Sequence, residues 1–592
     1  MMQWRANGGP RVLHFFYLRA CQWATCLVFG LLLTGCESEE FVNATDAQSR
    51  QDTRPNVLLV VVDDVGFSDL GFFGSEIPTP TLDSLAASGI TLTNFHAAPT
   101  CSPTRSMLLS GVDSHQAGLG NMFEELAPNQ KGQPGYEGYL HERVAPLPAL
   151  FKEAGYQTLM SGKWHLGLKD DQSPTQRGFD KAFALLEGGA GHFADMQSLW
   201  QTEVGNRGKA KYRENGVMLG ELPESFEYSS QFYVDKLIEY LESATPDERG
   251  GSPFFAYLAF TAPHWPLQAP PAAIARHEGK YDLGYDDLAI QRLARQIALG
   301  ILPADTQLSP RPADAQAWED LTAEQKTLSA RRMEIYAAMI DEVDRHLGRL
   351  IDYLKTKELF DDTVVVFLSD NGAEGHSLDA LFPEAVFPKA REWVLGTFDY
   401  DYESLGSADS YVLYGPGWGW AATSAFRGYK AYVTQGGTRV PAFISFPKRL
   451  MSGAQRSDLL SVKDIAPTLL ELAGIPKPQG HFRGRPVVPM SGESMLSLLQ
   501  EGGGDAQDNK PPRVLGYELF GKRSIRQGNW SAVEMYEPQG TGQWQLYNLE
   551  HDLAEQQDLA KTRPDRLEAL ISLWLEYAAQ NNVVIPDWNS GY

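Results

Sequence analysis

Cys101, Pro103 and Arg105 alternate in the pentapeptide CSPTR (101–105), and that spacing can do chemistry. Ser102 is a favourable N-cap and Pro103 a favourable first helical residue, so a helix is expected to begin directly after Cys101. The start of a helix presents free N–H groups and partial positive charge, which suit an anion. Arg105 would lie one turn in and could reach back to neutralise an oxyanion.

Two strand ends elsewhere in the chain carry adjacent oxygen-bearing side chains, Asp63-Asp64 after NVLLVVV (56–62) and Asp370-Asn371 after TVVVFLS (363–369). Together they offer only oxygen ligands, the set preferred by Ca²⁺ or Mg²⁺ over a softer transition metal. Adjacent aspartates repel, and a divalent cation would hold both ionised. A single Asp-Asp after a strand is as often a turn or a helix cap; two acidic strand ends in one chain favour the metal.

Further polar residues could handle a proton or hold an anion. In GKWHLG (162–167), Lys163 and His165 would share one face if the segment is extended. The lysine could hold an anion's oxygen, and the histidine could move a proton near neutral pH. His264 stands in the proline-braced PHWP (263–266), which suits a positioned group better than a core histidine. Lys430 lies in FRGYKAYVTQGGTRVP (426–441), where Gly436-Gly437 implies a tight turn. Taken singly, each is more often an ordinary surface or satisfied residue. His115, His192 and Glu374 are weaker candidates.

The elements that must position these groups read as an α/β fold. The runs 56–62, 90–95, 157–161, 254–260 and 363–369 are β-rich, and the first reads as a strand buried on both faces of a mostly parallel sheet. Helices are expected over 79–88, 146–154 and 331–355, alternating with those strands in the doubly wound manner. Ligands of such sheets bind at the carboxyl ends of the strands, where both pairs fall. The stretch 187–327 reads mainly as loops covering the site. Beyond 480, the runs 514–520, 524–536 and 544–549 suggest a small antiparallel sheet, and 564–579 a closing helix.

Length and charge bound the remainder. The 592 residues suffice for one very large domain and a smaller one. A formal charge of −24 argues against nucleic acid as a partner. It also provides no global attraction for an anionic substrate, so an anion site must be built locally. Arg5, Arg11 and Arg19 precede an apolar run over 21–33 that reads as a signal peptide. The run ends in Leu33-Thr34-Gly35-Cys36, which looks like the lipobox of a bacterial lipoprotein; a plain cleaved signal or an uncleaved anchor are the alternatives. Lipidation at Cys36 implies an exported protein tethered to a membrane and facing the periplasm or sorted to the outer membrane, toward which Glu37 leans. Cys36→Ser is then expected to move the protein into the soluble fraction; a membrane-bound variant of unchanged mass would remove the anchor. The expected organisation is signal 1–35, tether 36–54, catalytic domain 55–480 and C-terminal subdomain 481–592. Cys21 and Cys26 leave with the signal, so Cys101 is the only free thiol of the mature body and no disulfide framework is possible.

Taken together, CSPTRSMLLSG, GKWHLG, TAPHWPLQAP, SDNGAEG and YKAYVTQGGTRVP resemble the formylglycine-dependent sulfatases of the alkaline-phosphatase superfamily, most nearly the bacterial arylsulfatases. The resemblance runs from about Pro55 into the C-terminal region. It implies that Cys101 is oxidised to formylglycine (3-oxoalanine) by a maturase. It further implies that Asp63, Asp64, Asp370 and Asn371 bind Ca²⁺ together with residue 101. The hydrated aldehyde would be the nucleophile, with Asp370 helping to deprotonate it and Arg105 and Lys163 holding its charge. His264 and Lys430 would steady the sulfate and protonate the leaving oxygen. His165 would take the proton that lets the sulfated hemiacetal collapse. The implied activity is hydrolysis of small aryl or alkyl sulfate esters. A phosphonate-monoester or phosphodiester hydrolase, a carbohydrate sulfatase, and a non-catalytic anion-binding lipoprotein are the competing readings.

Overall fold

The computed structural model describes residues 54–243, 251–500 and 511–588. The signal peptide, the lipobox with Cys36 and most of the tether lie outside the described residues. Among the described residues no helix is long and apolar enough to cross a membrane, and Cys101 is a free, buried cysteine.

A ten-stranded sheet organises the body. Its order is Ala454–Arg456, Ile90–Leu92, Ala442–Ser445, Thr363–Ser369, Asn56–Val62, Phe254–Ala259, Gln157–Lys163, Lys181–Leu185, Tyr212–Glu214 and Val217–Met218. The five strands from Thr363–Ser369 to Lys181–Leu185 are mutually parallel. Antiparallel pairings flank them on both sides. The alternation inside NVLLVVV shows why the run is unbroken. Leu58, Val60 and Val62 enter one core with Leu347, Leu350 and Leu354 of the helix Ala323–Thr356. Val57, Leu59 and Val61 enter the other with Leu108, Leu147 and Phe151. A strand covered by helices on both faces has no polar side to show.

The register decides what meets at the carboxyl edge. Val62 pairs with Ser369, so the residues that follow, Asp63 and Asp370, emerge side by side although 307 positions separate them. On the other flank, Gly162 pairs with Ala259, which brings Lys163 and the PHWP loop to the same edge.

Several expectations shift in detail. The helix expected to start at Arg331 begins at Ala323, because Thr322 and Gln325 form a capping box. The strand expected over 90–95 is split into Ile90–Leu92 and Phe95–His96. The stretch 187–327 holds two amphipathic helices, Ser229–Glu242 and Gly284–Ala298, that pack on the main core. The C-terminal sheet runs Val514–Leu519, Lys522–Gln527, Trp530–Glu534, Gln545–Asn548, all antiparallel, with Pro564–Asn581 against it. Residues 51–592 form one compact unit. Polar contacts tie the small sheet to the body: Lys522 Nζ donates to the Ala431 carbonyl at 3.1 Å, and Arg513 holds Asp464 at 2.6 Å.

Candidate active site

The helix Cys101–Leu108 has Thr100 at its N-cap position, so it starts two residues before the expected first helical residue Pro103, and Cys101 is its first residue. Thr104 secures the approach: its hydroxyl accepts from Ala98 N at 2.8 Å. Every side chain of this helix is buried. Arg105 therefore does not reach back from a surface. Its Nε donates to Asp370 Oδ2 at 2.8 Å and its Nη1 to the Lys163 carbonyl at 2.9 Å. The Tyr257 hydroxyl lies 3.4 Å from Nη1. Arg105 thus fixes an aspartate and the end of a neighbouring strand at once.

Around Cys101 stand three aspartates and two lysines. Lys163 Nζ donates to Asp63 Oδ2 at 2.5 Å. Lys430 Nζ lies 2.9 Å from the Asp64 carboxylate and 3.4 Å from Glu374 Oε2. Asn371 Nδ2 donates to Asp64 Oδ1 at 2.7 Å. Glu374 also receives Nδ1 of His376 at 2.6 Å. Ionised Asp63, Asp64, Asp370 and Glu374 would outnumber Arg105, Lys163 and Lys430 by one charge, and a divalent cation would turn the pocket net positive.

The acidic groups match such a cation. Burial, with Asp370 nearby, pushes Asp63 up to about 8 against the pull of Lys163. Asp64 is raised by burial, with Lys430 opposing. Asp370 is also buried, yet Arg105 and the two lysines hold it below the usual carboxylate range. Asp63 Oδ1 and Asn371 Oδ1 are buried without a hydrogen-bond partner among the described residues, an expensive arrangement unless a ligand completes it. One ligand atom each of Asp63, Asp64, Cys101 and His264 lies within 4.8 Å of the others. That compact group includes His264, whereas Asp370 stands beside it with Oδ2 committed to Arg105.

The two histidines of the site differ from a simple extended reading. The strand ends at Lys163, and His165 has a left-handed backbone (φ 54°), so the shared-face argument does not apply. His165 Nε2 meets Glu124 Oε2 at 3.3 Å instead. His264 Nδ1 donates to the Trp265 carbonyl at 2.6 Å, and Nε2 faces Asp64 Oδ2 at 3.7 Å. Since a carbonyl only accepts, the neutral ring carries its proton on Nδ1. Burial and the charges of Lys430 and Lys163 hold His264 well below the usual histidine range.

The loop carrying Lys430 closes the pocket. Lys430 N donates to the Ala373 carbonyl at 2.9 Å and Ala431 N to Pro99 O at 2.8 Å, so it joins the Asp370 and Cys101 loops. Gly436-Gly437 is not a free tight turn; it lies in the short helix Gln435–Thr438. A Cβ on Gly372 would fall 2.0 Å from the Gly436 carbonyl, and one on Gly436 2.0 Å from the Gly428 carbonyl. Backbones meet backbones there, which requires glycine.

The weaker candidates divide. Glu374 belongs to the site through Lys430. His192 supports it from behind, its Nε2 3.0 Å from the His264 carbonyl and its Nδ1 2.8 Å from the Ser229 hydroxyl. His115 does not take part. It bridges Asp113 at 3.0 Å and Glu518 at 3.3 Å, and these carboxylates raise it to about 9 despite burial. Sequence reasoning missed Glu124, Tyr257 and His376. Only His376 carried a local signal, two residues beyond Glu374.

Comparison with known proteins places the chain in a family. The family model described as Sulfatase matches residues 55–475, and the model described as N-sulphoglucosamine sulphohydrolase, C-terminal, matches 428–573. An uncharacterized sulfatase of Schizosaccharomyces pombe is 44% identical over 544 residues, 91% of this chain and 96% of that protein. The arylsulfatase of Klebsiella aerogenes is 39% identical over 456 residues, 77% of this chain and 94% of that enzyme. Among solved structures, that of Ps i-CgsB in complex with k-i-k-neocarrahexaose superposes with a TM-score of 0.62 at 22% identity, covering 91% of this chain and 95% of that one.

Proposed function

The chain belongs to the sulfatase family and is a sulfuric ester hydrolase, and we propose that it acts on small aryl or alkyl sulfate monoesters in the manner of an arylsulfatase. One observation carries the catalytic reading. Cys101 is the first residue of a buried helix, enclosed by Asp63, Asp64, Lys163 and Lys430 at the carboxyl edge of the sheet. The 39% identity to an arylsulfatase over 94% of that enzyme supports the substrate class.

An unmodified thiol suits this position poorly. Burial pushes the Cys101 thiol up, with Asp63 and Asp370 adding to the effect and the two lysines opposing it. The reactive thiolate is therefore disfavoured. Formylglycine made from Cys101 by a maturase would supply, as its hydrate, a neutral hydroxyl for attack at sulfur. Ca²⁺, or less well Mg²⁺, would supply positive charge to the sulfate oxygens from a site held by Asp63, Asp64, Asp370, Asn371 and residue 101.

The chain's own groups perform the remaining work. Lys163 and Lys430 offer ammonium protons from opposite sides of the paired aspartates. Arg105 keeps Asp370 ionised and oriented, so that carboxylate can accept a proton from the attacking hydroxyl. His165 offers as a base a buried Nδ1 that has no hydrogen-bond partner among the described residues. His264, neutral and proton-bearing on Nδ1, turns an Nε2 lone pair toward the pocket, where it could help hold the cation but cannot donate to a sulfate oxygen. Lys430 is then the donor best placed to protonate a departing oxygen.

A panel of an aryl sulfate, an alkyl sulfate, an aryl phosphate, a phosphodiester and a sulfated sugar tests the reading. The matured enzyme is expected to prefer the first two; a preference for the phosphodiester or the sugar would overturn it. Chelation is expected to lower Tm and turnover together. A cation bound only by the native state at a hundred times its Kd adds about 2.7 kcal/mol of stability. An active enzyme whose Tm ignores chelator and added Ca²⁺ would contradict the metal assignment.

A further inference from the structure

His165 is addressed from one side only. Its Nε2 faces Glu124 Oε2 at 3.3 Å, while Nδ1 is buried with no hydrogen-bond partner among the described residues. An ionised carboxylate can only accept, so Glu124 draws the ring proton to Nε2 and leaves the lone pair on Nδ1. The choice of basic nitrogen therefore depends on one carboxylate.

Glu124 is not a rigid group by local structure. It lies in the single 3-10 turn Phe123–Glu125, and 32% of its side chain is exposed. The turn is held from beneath. Asn121 Nδ2 donates to the Glu125 carbonyl at 2.8 Å and to Gln130 Oε1 at 3.2 Å. Gln130 Nε2 donates in turn to the Val584 carbonyl at 2.9 Å. Asn129 Nδ2 reaches the Ile585 carbonyl at 2.8 Å, and Val584 N donates to the Tyr136 hydroxyl at 2.9 Å. The last helix stops at Asn581, with Asn582 in the left-handed conformation that turns the chain back across this loop.

We propose that Glu124 is the positioning residue of His165, and that the C-terminal tail 582–587 clasps the loop that presents it. The proposal rests on the reading of His165 as a base in sulfate-ester hydrolysis. A far terminus then helps set the tautomer of an active-site histidine through a continuous chain of hydrogen bonds.

The electrostatics agree in sign. Burial lowers the His165 pKa; Glu124 opposes this, and Lys163 and Arg105 reinforce it. Removing the Glu124 charge should lower that pKa further, so the acid limb of the pH profile should move to lower pH.

Glu124→Gln keeps the shape, removes the charge and lets an amide N–H compete for Nε2. The expected result is a kcat fall of about tenfold to a hundredfold, the range typical of outer partners that orient a working histidine. KM should change little, and the acid limb should shift downward. Tyr136→Phe, which loosens the clasp, should act in the same direction but less. In the Glu124→Gln background it should add nothing, because both changes act through one contact. Wild-type kcat and pH profile in Glu124→Gln would overturn the positioning role. An equal loss from Tyr136→Phe in both backgrounds would overturn the clasp. The His165 titration, read by NMR in histidine-labelled protein, tests the same coupling without turnover. A His165 pKa unchanged by Glu124→Gln sinks the inference even if the enzyme is an arylsulfatase. A wild-type enzyme inactive on every sulfate ester sinks the functional reading instead.

Discussion

Cys101→Ala is expected to lower turnover of any sulfate ester by roughly 10⁴–10⁶-fold, the scale seen when a hydrolase loses its nucleophile. Folding should survive. The side chain is 1% exposed, and trimming one buried heavy atom costs about 1 kcal/mol. Asp63, Asp64, Lys163 and Lys430 keep their mutual contacts in the variant, so it should still bind substrate. Mass spectrometry of the peptide holding residue 101 completes the test. Active wild-type protein should carry formylglycine in proportion to its activity, and protein made without a maturase should carry cysteine and be inactive. Full activity with an unmodified thiol, or wild-type turnover in Cys101→Ala, would show that the nucleophile lies elsewhere.

Lys430→Ala should separate substrates by leaving group. An acidic phenol departs as its anion and needs little help, whereas an alkoxide must be protonated as it leaves. General acid assistance is worth about 10²–10⁴ in rate, so alkyl sulfates should slow by that factor more than esters of acidic phenols. His264→Ala should behave differently. Its Nδ1 proton is given to the Trp265 carbonyl at 2.6 Å, and the buried ring resists a second proton. Its loss should be similar across leaving groups. This contrast is expected although the resemblance implied a donor role for both residues. The lysine must be judged against folding, because its removal leaves Asp64 and Glu374 without that cation; Lys430→Arg and a Tm measurement provide the control. A uniform loss in Lys430→Ala would reduce Lys430 to sulfate binding. A steep leaving-group dependence in His264→Ala would restore the donor role to the histidine.

Much of this site was legible in the linear chain, for identifiable reasons. A short valine- and leucine-rich run such as 56–62 reads as a strand covered on both faces, and the polar residues that end it then emerge at the sheet's edge. Asp63-Asp64 and Asp370-Asn371 could therefore be placed before any contact was known. CSPTR is contiguous, so its helix start and its arginine were equally accessible; only the cap differed, Thr100 taking the place expected of Ser102. The resemblance added roles to these residues, and the sheet and the family matches support the broad assignment.

What the chain alone determined is which chemistry is available: a thiol before a helix, oxygen ligands at strand ends, and lysines and histidines in glycine- and proline-braced loops. Tertiary structure decided how those groups are connected. That Thr363–Ser369 lies directly against Asn56–Val62 follows from sheet order, which no local pattern encodes. The same order turns Arg105 from a group reaching for substrate into the clamp of Asp370. Glu124 sits in an exposed acidic turn with no periodicity and no motif, and it meets His165 in a fold where the following loop residues Asn129 and Gln130 bond to Ile585 and Val584 of the C-terminal tail. Propensity and patterning act over a few residues, whereas proton position and carboxylate charge depend on neighbours hundreds of positions away, and those exist only once the chain has packed.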